Sequence, residues 1–203
     1  MDMKFYMKMK LRVAEVCMII YPYKIEECGF YKRGEKKPEF GEPSHLIRDF
    51  LKWLHSKTSI LSTATFDSSE DNIRRVFCIE TVSDEKEESY GVVLWNEIPQ
   101  HEEGVSFIPL KSKIGNVKAS TIETSEESIP GWPTYLWFVP KKSLVVSLVP
   151  DNMRGFRSSG IKQARKYFEN FLYYKSSYVV KENTHEDQQE IEHNIIGWRK
   201  QKK

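Results

Sequence analysis

Between Phe5 and Val13 the chain alternates without a break: Phe5, Met7, Met9, Leu11 and Val13 are apolar, and Tyr6, Lys8, Lys10 and Arg12 stand between them. A period of two places the apolar side chains on one face of an extended strand. A strand with one greasy and one wet face belongs to an antiparallel sheet with one solvated side. After Val13 the apolar phase moves to Val16, Met18 and Ile20, so keeping a single buried face requires a β-bulge or a sharp bend near Ala14.

Residues 22–43, with Pro22, Gly29, Gly34, Pro38, Gly41 and Pro43, read as a basic loop. Ser44 then offers an N-cap to a core-packing helix in which Leu46, Ile47, Phe50, Leu51, Trp53 and Leu54 recur at helical spacing. Ile60 to Phe66 and Ile73 to Thr81 flank a turn-rich stretch and predict a hairpin. Tyr90 to Ile98, Val105 to Leu110 and Asn116 to Glu123 read as further strands. Trp132 to Val139 and Ser143 to Val149 predict a second, very apolar hairpin across Pro140 to Lys142.

Ser158 and Ser159 precede a second helix whose Ile161, Ala164, Phe168, Phe171 and Leu172 share a face. Tyr178 to Val180 suits a short strand. The polar tail keeps one helical apolar pattern, Ile191, Ile195, Ile196 and Trp198. Together these elements predict an α+β fold: a mixed, mainly antiparallel sheet with two principal helices covering one face. Residues 1–180 form one domain, with a subdivision point near 124–130. Residues 181–203 form a polar segment that is mobile or ordered by a partner, either another protein or a second copy of the chain.

A chain of 203 residues buries roughly 70% of its unfolded surface, enough for a core without staples. Its 31 Lys and Arg against 29 Asp and Glu leave no global field to impose a nucleic-acid or membrane partner, so any such contact rests on a local patch. Cys17, Cys28 and Cys78 form neither a CxxC pair nor an even framework, which points to reduced thiols and a cytoplasmic setting. Val16 to Ile20 follows several cations, but Glu15 interrupts it and no cleavage site follows, so no signal peptide and no membrane partner are expected.

Catalytic patterns are broken. His185, Glu186 and His193 miss the HExxH spacing because Gln189 holds the second histidine position. Glu97, His101, Glu102 and Glu103 are a poor ligand set. A metal nuclease fits Asp67 and Glu80, but Val82 stands where a lysine is needed. No nucleotide-binding loop or nucleophile elbow occurs, so no catalytic residue, metal or cofactor is expected.

One stretch has a physical edge: Arg154, Gly155, Phe156, Arg157, Ser158, Ser159, Gly160 and Lys162 lead into the second helix, with Arg165 and Lys166 a turn later. A helix start exposes free N–H groups and partial positive charge, so cations there are misplaced unless an anion joins them. Arg154, Arg157, Ser159, Lys162, Arg165 and Lys166 are therefore the candidate phosphate or nucleic-acid contacts. Capping alone, with the arginines paired elsewhere, is the plainer alternative.

The run Glu127, Ser128, Ile129, Pro130, Gly131, Trp132, Pro133, Thr134, Tyr135, Leu136, Trp137, Phe138 and Val139, set after a helix and paired strands and before another helix, resembles the N-terminal region of the lambda Rex exclusion protein A family. That resemblance implies a DNA-associated phage-defence component, a soluble sensor that acts with a partner. The expected function is a non-enzymatic nucleic-acid-associated or sensor protein. The alternative is a protein interaction module or self-associating subunit without nucleic-acid binding, and a metal-dependent nuclease ranks last.

Overall fold

Alternation at the N-terminus is realised as two strands, β1 (Asp2–Phe5) and β2 (Met9–Val13). The computed structural model describes residues 2–5, 9–13, 16–67, 74–98, 106–118, 120–121, 128–150, 160–182 and 194–200. Both strands pair antiparallel with β3 (Val16–Glu27), β2 along residues 16–20 and β1 along residues 23–27. Val13 stands opposite Val16. Of the two expected causes of the apolar phase change, a bulge or a sharp bend, the pairing gives the bend: the chain reverses between two strands. Tyr21 and Pro22 fall in the gap between the two partners, where a residue without an N–H costs the ladder nothing. For the same reason β3 runs through Pro22 to Glu27, and the expected loop shrinks to residues 28–42.

The other edge of β3 pairs with β9 (Leu144–Pro150), which pairs with β8 (Ser128–Val139). Next come β5 (Ser89–Glu97) and β4 (Val76–Asp84), so the strand order is β1-β3-β9-β8-β5-β4 with every pairing antiparallel. β6 (Ser106–Pro109) lies beside the start of β8 and pairs with β7 (Ser120–Thr121), all that the structure describes as strand in the 116–123 stretch. The expected hairpin of β8 and β9 is present.

The expected pairing of residues 60–66 with 73–81 is not, and β4 takes β5 instead. Leu61–Thr63 is a 3₁₀ turn, held there because the Thr63 hydroxyl donates to the Ile60 carbonyl at 2.6 Å and accepts from Cys78 N–H at 3.0 Å. A side chain therefore does locally what a strand ladder would have done.

α1 (Pro43–His55) starts from Glu42 as N-cap, not Ser44, because proline's fixed φ and missing N–H suit the first helical position. α2 (Ile161–Asn170) starts from Gly160 at φ 64°. Any β-carbon at Gly160 would run into the Thr134 side chain, so glycine is required by contact as well as by φ. Ser158 and Ser159 lie outside the described residues. α2 continues as a π-helical turn over Phe171–Lys175.

Both helices cover one face of the sheet, giving the α+β architecture. Ile47, Phe50, Leu51 and Leu54 of α1 and Ala164, Tyr167 and Phe168 of α2 pack on Val76, Cys78, Tyr90, Val92, Leu94, Leu136, Phe138 and Val145. The rings of Phe50, Phe168 and Phe171 meet edge to face at 5.0–5.3 Å, a geometry worth about 0.5–1.5 kcal/mol per pair beyond burial. The Tyr167 hydroxyl, wholly buried, donates to the Thr63 carbonyl at 2.8 Å.

A smaller core on the far side joins Ile60, Phe77, Ile79, Trp95, Ile108 and Ile129. Phe77 and Ile79 share that side by the ordinary alternation of a strand, and the register slip between Cys78 and Glu80 keeps Glu80, the next residue, on the same side opposite Val93. The chain finishes as β10 (Val179–Glu182) paired antiparallel with β11 (Asn194–Trp198). The tail pattern read as helical is thus a strand: Ile195 and Ile196 are β-branched, and their strand pairs with β10, itself opened by two valines. Ile191 lies outside the described residues. No described helix is long and apolar enough to cross a membrane.

Candidate binding groove

The loop 28–42 is closed by one antiparallel bridge. Phe30 N–H donates to the Phe40 carbonyl and Glu39 N–H to the Phe30 carbonyl, each at 2.8 Å. Gly29, at φ 138°, lets the two arms approach, since a β-carbon there would stand 2.6 Å from Pro38 Cβ and 2.8 Å from the Phe40 carbonyl oxygen. The bridge stacks Phe30 on Phe40 with ring centroids 5.0 Å apart.

A second segment arrives from α1 and α2. The carboxylate of Asp49, on α1 and only 9% exposed, accepts from the Ser176 hydroxyl at 2.6 Å, the Ser177 hydroxyl at 2.5 Å and the Ser177 N–H at 3.1 Å. These charge-assisted bonds fix the exit of the π-helical turn. They deliver Tyr178 onto both phenylalanines, at 5.5 and 5.4 Å. β11 supplies the third side: Val179 pairs with Trp198, and the Trp198 ring lies 5.9 Å from Phe30.

These pieces enclose a groove of about 290 Å³ lined by Phe30, Tyr31, Leu172, Tyr173, Val179 and Trp198, with Gly29 and Gly197 in the lining and Glu169 at its polar side. Tyr173 is 55% and Trp198 40% exposed, so aromatic surface stays open to solvent. Burial and the neighbouring Glu27 raise the Tyr31 phenol above its ordinary pKa. Burial, with Asp49 nearby, does the same for Tyr178. Both stay neutral hydrogen-bonding groups at physiological pH.

Each of the three segments carries cations directly after its aromatics: Phe30 and Tyr31 lead into Lys32 and Arg33, Tyr173 and Tyr174 into Lys175, and Trp198 into Arg199 and Lys200. All five cations are exposed. Lys32 spends part of its charge on Glu39 at 3.2 Å. Partial burial and the like charges of Lys181 and Lys57 push the Lys175 pKa down, which marks a crowded cationic flank.

The site residues expected from sequence lie elsewhere. Arg154, Arg157 and Ser159 are outside the described residues. Lys162 is exposed in the first turn of α2. Arg165 donates to Glu169 at 2.8 Å, an i,i+4 pair, and the Lys166 ammonium sits 5.2 Å from the Phe66 ring centre. His101, Glu102, Glu103, His185, Glu186 and His193 are outside the described residues, and Glu97 holds Arg75 through two bonds of 2.7 and 3.0 Å. Among the described residues no three His, Cys, Asp or Glu side chains gather as a metal would require.

Sequence reasoning missed Phe30, Tyr31, Tyr173 and Trp198. The signal was available in the threefold recurrence of aromatic followed by cation, but only the fold reveals that these runs converge. No family model, curated protein or solved structure matches the chain.

Proposed function

We propose that this protein is a non-enzymatic, nucleic-acid-associated protein that holds single-stranded nucleic acid across the aromatic groove. One observation carries the reading: three segments distant in sequence bring aromatic rings to one groove, Tyr173 and Trp198 exposed and Tyr31 half-buried, and each segment continues into a cation. Single strands expose both faces of their bases, which stack on aromatic side chains, while the phosphates follow positive flanks. A duplex keeps its bases stacked inside and gains little from such a groove. The basic stretch of Arg154, Arg157, Ser159 and Lys162 ahead of α2 belongs to the same proposal as a second phosphate contact. The DNA-associated phage-defence role implied by the resemblance is compatible with this reading and adds no contact to it.

The test is fluorescence anisotropy of labelled single-stranded oligonucleotides against salt. Affinity should fall with a log-log slope of about −0.7 per neutralised phosphate. Trp198→Ala should weaken binding by about 1–3 kcal/mol, the range for a lost base-stacking platform. Salt-independent binding of a protein segment in the groove, with no oligonucleotide binding, supports the interaction-module reading and overturns this one.

A further inference from the structure

The face of the sheet turned away from the helices carries a second surface, independent of the groove. Strand register aligns Val82, Gly91, Trp137, Val146 and Pro22 in one rank across β4, β5, β8, β9 and β3. The ranks on either side, with Tyr90, Phe138 and Val145 in one and Val92 and Leu136 in the other, are in the helix-side core, so the rank itself faces outward. Gly91 provides a floor for Trp137: a β-carbon there would stand 3.3 Å from the indole. The ring therefore lies flat over β5, 36% exposed, next to Val82 at 55%. The neighbouring outward rank is Glu80, Val93, Tyr135, Leu148 and Ile20, and at Val93 it meets the smaller far-side core, which bounds the surface there.

On the other side of the Trp137 rank, Val139 pairs with Leu144 and Leu144 with Lys24, whose own cross-strand neighbour is Lys4. At the β4 end of that rank stands Asp84. The outer face is thus apolar in the middle, acidic along β4 at Glu80 and Asp84, and basic at exposed Lys24 on β3.

We infer that a second copy of this chain docks on this face, sheet against sheet, about a two-fold axis parallel to the strands. Such an axis turns the face over and lays the β4 end of one copy on the β3 end of the other. Asp84 then meets Lys24 twice, and the two Trp137 rings meet near the centre. An axis perpendicular to the strands lays β4 on β4 and leaves the opposite charges apart, so charge selects the first. Five or six strands at roughly 4.8 Å and three ranks give only several hundred Å² per copy, the size of a reversible interface.

Sedimentation equilibrium of the full chain tests this. The expected result is a monomer–dimer equilibrium with a dissociation constant on the order of micromolar. Val82→Arg, at a side chain already exposed, should weaken it at least about 10-fold with an unchanged melting temperature, and Trp137→Arg more strongly. Lys24→Glu and Asp84→Lys should each weaken it, and the two together should return it to within about 3-fold of the parent. Asp84 also accepts from Lys86 and Glu87 N–H in the β4–β5 turn, so Lys24→Glu, clear of that turn, is the variant that reads the charge contact alone. A chain monomeric at every concentration overturns the inference. So does a dimer indifferent to Val82→Arg, or a charge-swapped pair that does not recover.

Discussion

Two aromatic clusters in this molecule use similar side chains and are finished differently. Phe50, Phe138, Tyr167, Phe168 and Phe171 are at most 6% exposed, meet edge to face and leave no open side. Phe30, Phe40, Tyr178 and Trp198 pack as closely, at 5.0–5.9 Å, yet two of them, Phe30 and Trp198, line a groove. The difference lies in what covers each ring. The interior rings are held between α1, α2 and the sheet, so every side is covered. Trp198 stands on the small two-stranded sheet of β10 and β11, 40% exposed, with Arg199 and Lys200 beside it in water. An aromatic cluster therefore serves stability where two layers close on it and leaves a surface for recognition where one side stays open.

The largest separation between the clusters should be in stability. Phe50→Ala should cost about 3–5 kcal/mol, as for other buried phenylalanines, whereas Trp198→Ala should cost less than about 2 kcal/mol because part of the ring is already in water. Urea denaturation of both variants measures this, and equal losses would erase the distinction.

Asp49→Ala comes next. It removes the acceptor of the buried Ser176 hydroxyl, at about 1–3 kcal/mol. It also frees Tyr178, so oligonucleotide affinity should drop with stability. A variant that loses stability and keeps full affinity would show that the latch does not shape the groove.

A smaller effect separates the groove from the basic stretch ahead of α2. Replacing Arg154 and Arg157 together by glutamine should reduce the steepness of the salt dependence by about 1.4 on single strands, with stability within about 0.5 kcal/mol per change. An unchanged slope would leave the groove as the whole site.

The smallest effect concerns Cys28, which leads into Gly29 and the groove. Burial pushes its thiol up to about 11 from the ordinary 9.0. A raised folded-state value means that the protonated thiol favours the fold below pH 9 and that this contribution fades as pH rises through 11. Cys28→Ser should therefore flatten part of the stability loss between those pH values. Iodoacetamide at pH 8 should label native Cys28 roughly 100-fold more slowly than a free thiol, in proportion to its thiolate fraction.

Much of the fold was legible in the sequence where one face had to be buried. The β8–β9 hairpin and the core faces of α1 and α2 follow from apolar periodicity, and the antiparallel sheet follows from alternation at the N-terminus. Reversals were not legible. Val13 and Val16 mark a phase change that a bulge or a hairpin explains equally well, and only pairing with β3 decides between them. Nor could sequence show that Thr63 replaces a strand ladder by bonding Cys78, or that Thr134 forces glycine at position 160, since both depend on contacts between distant residues. The groove was illegible for the same reason: Phe30, Tyr173 and Trp198 belong to three separate segments that Asp49 and the Phe30–Phe40 bridge bring together.

The most direct measurement of single-strand binding at the groove is tryptophan fluorescence during titration with a short oligothymidylate at low salt. Stacking of a base on Trp198 should quench emission in the parent, and the same titration of Trp198→Phe should lose most of that quench while keeping weaker, salt-sensitive binding through the remaining rings and cations. A quench of equal size in both proteins, or no quench and no binding in either, would contradict the proposal that this groove holds a nucleic-acid strand.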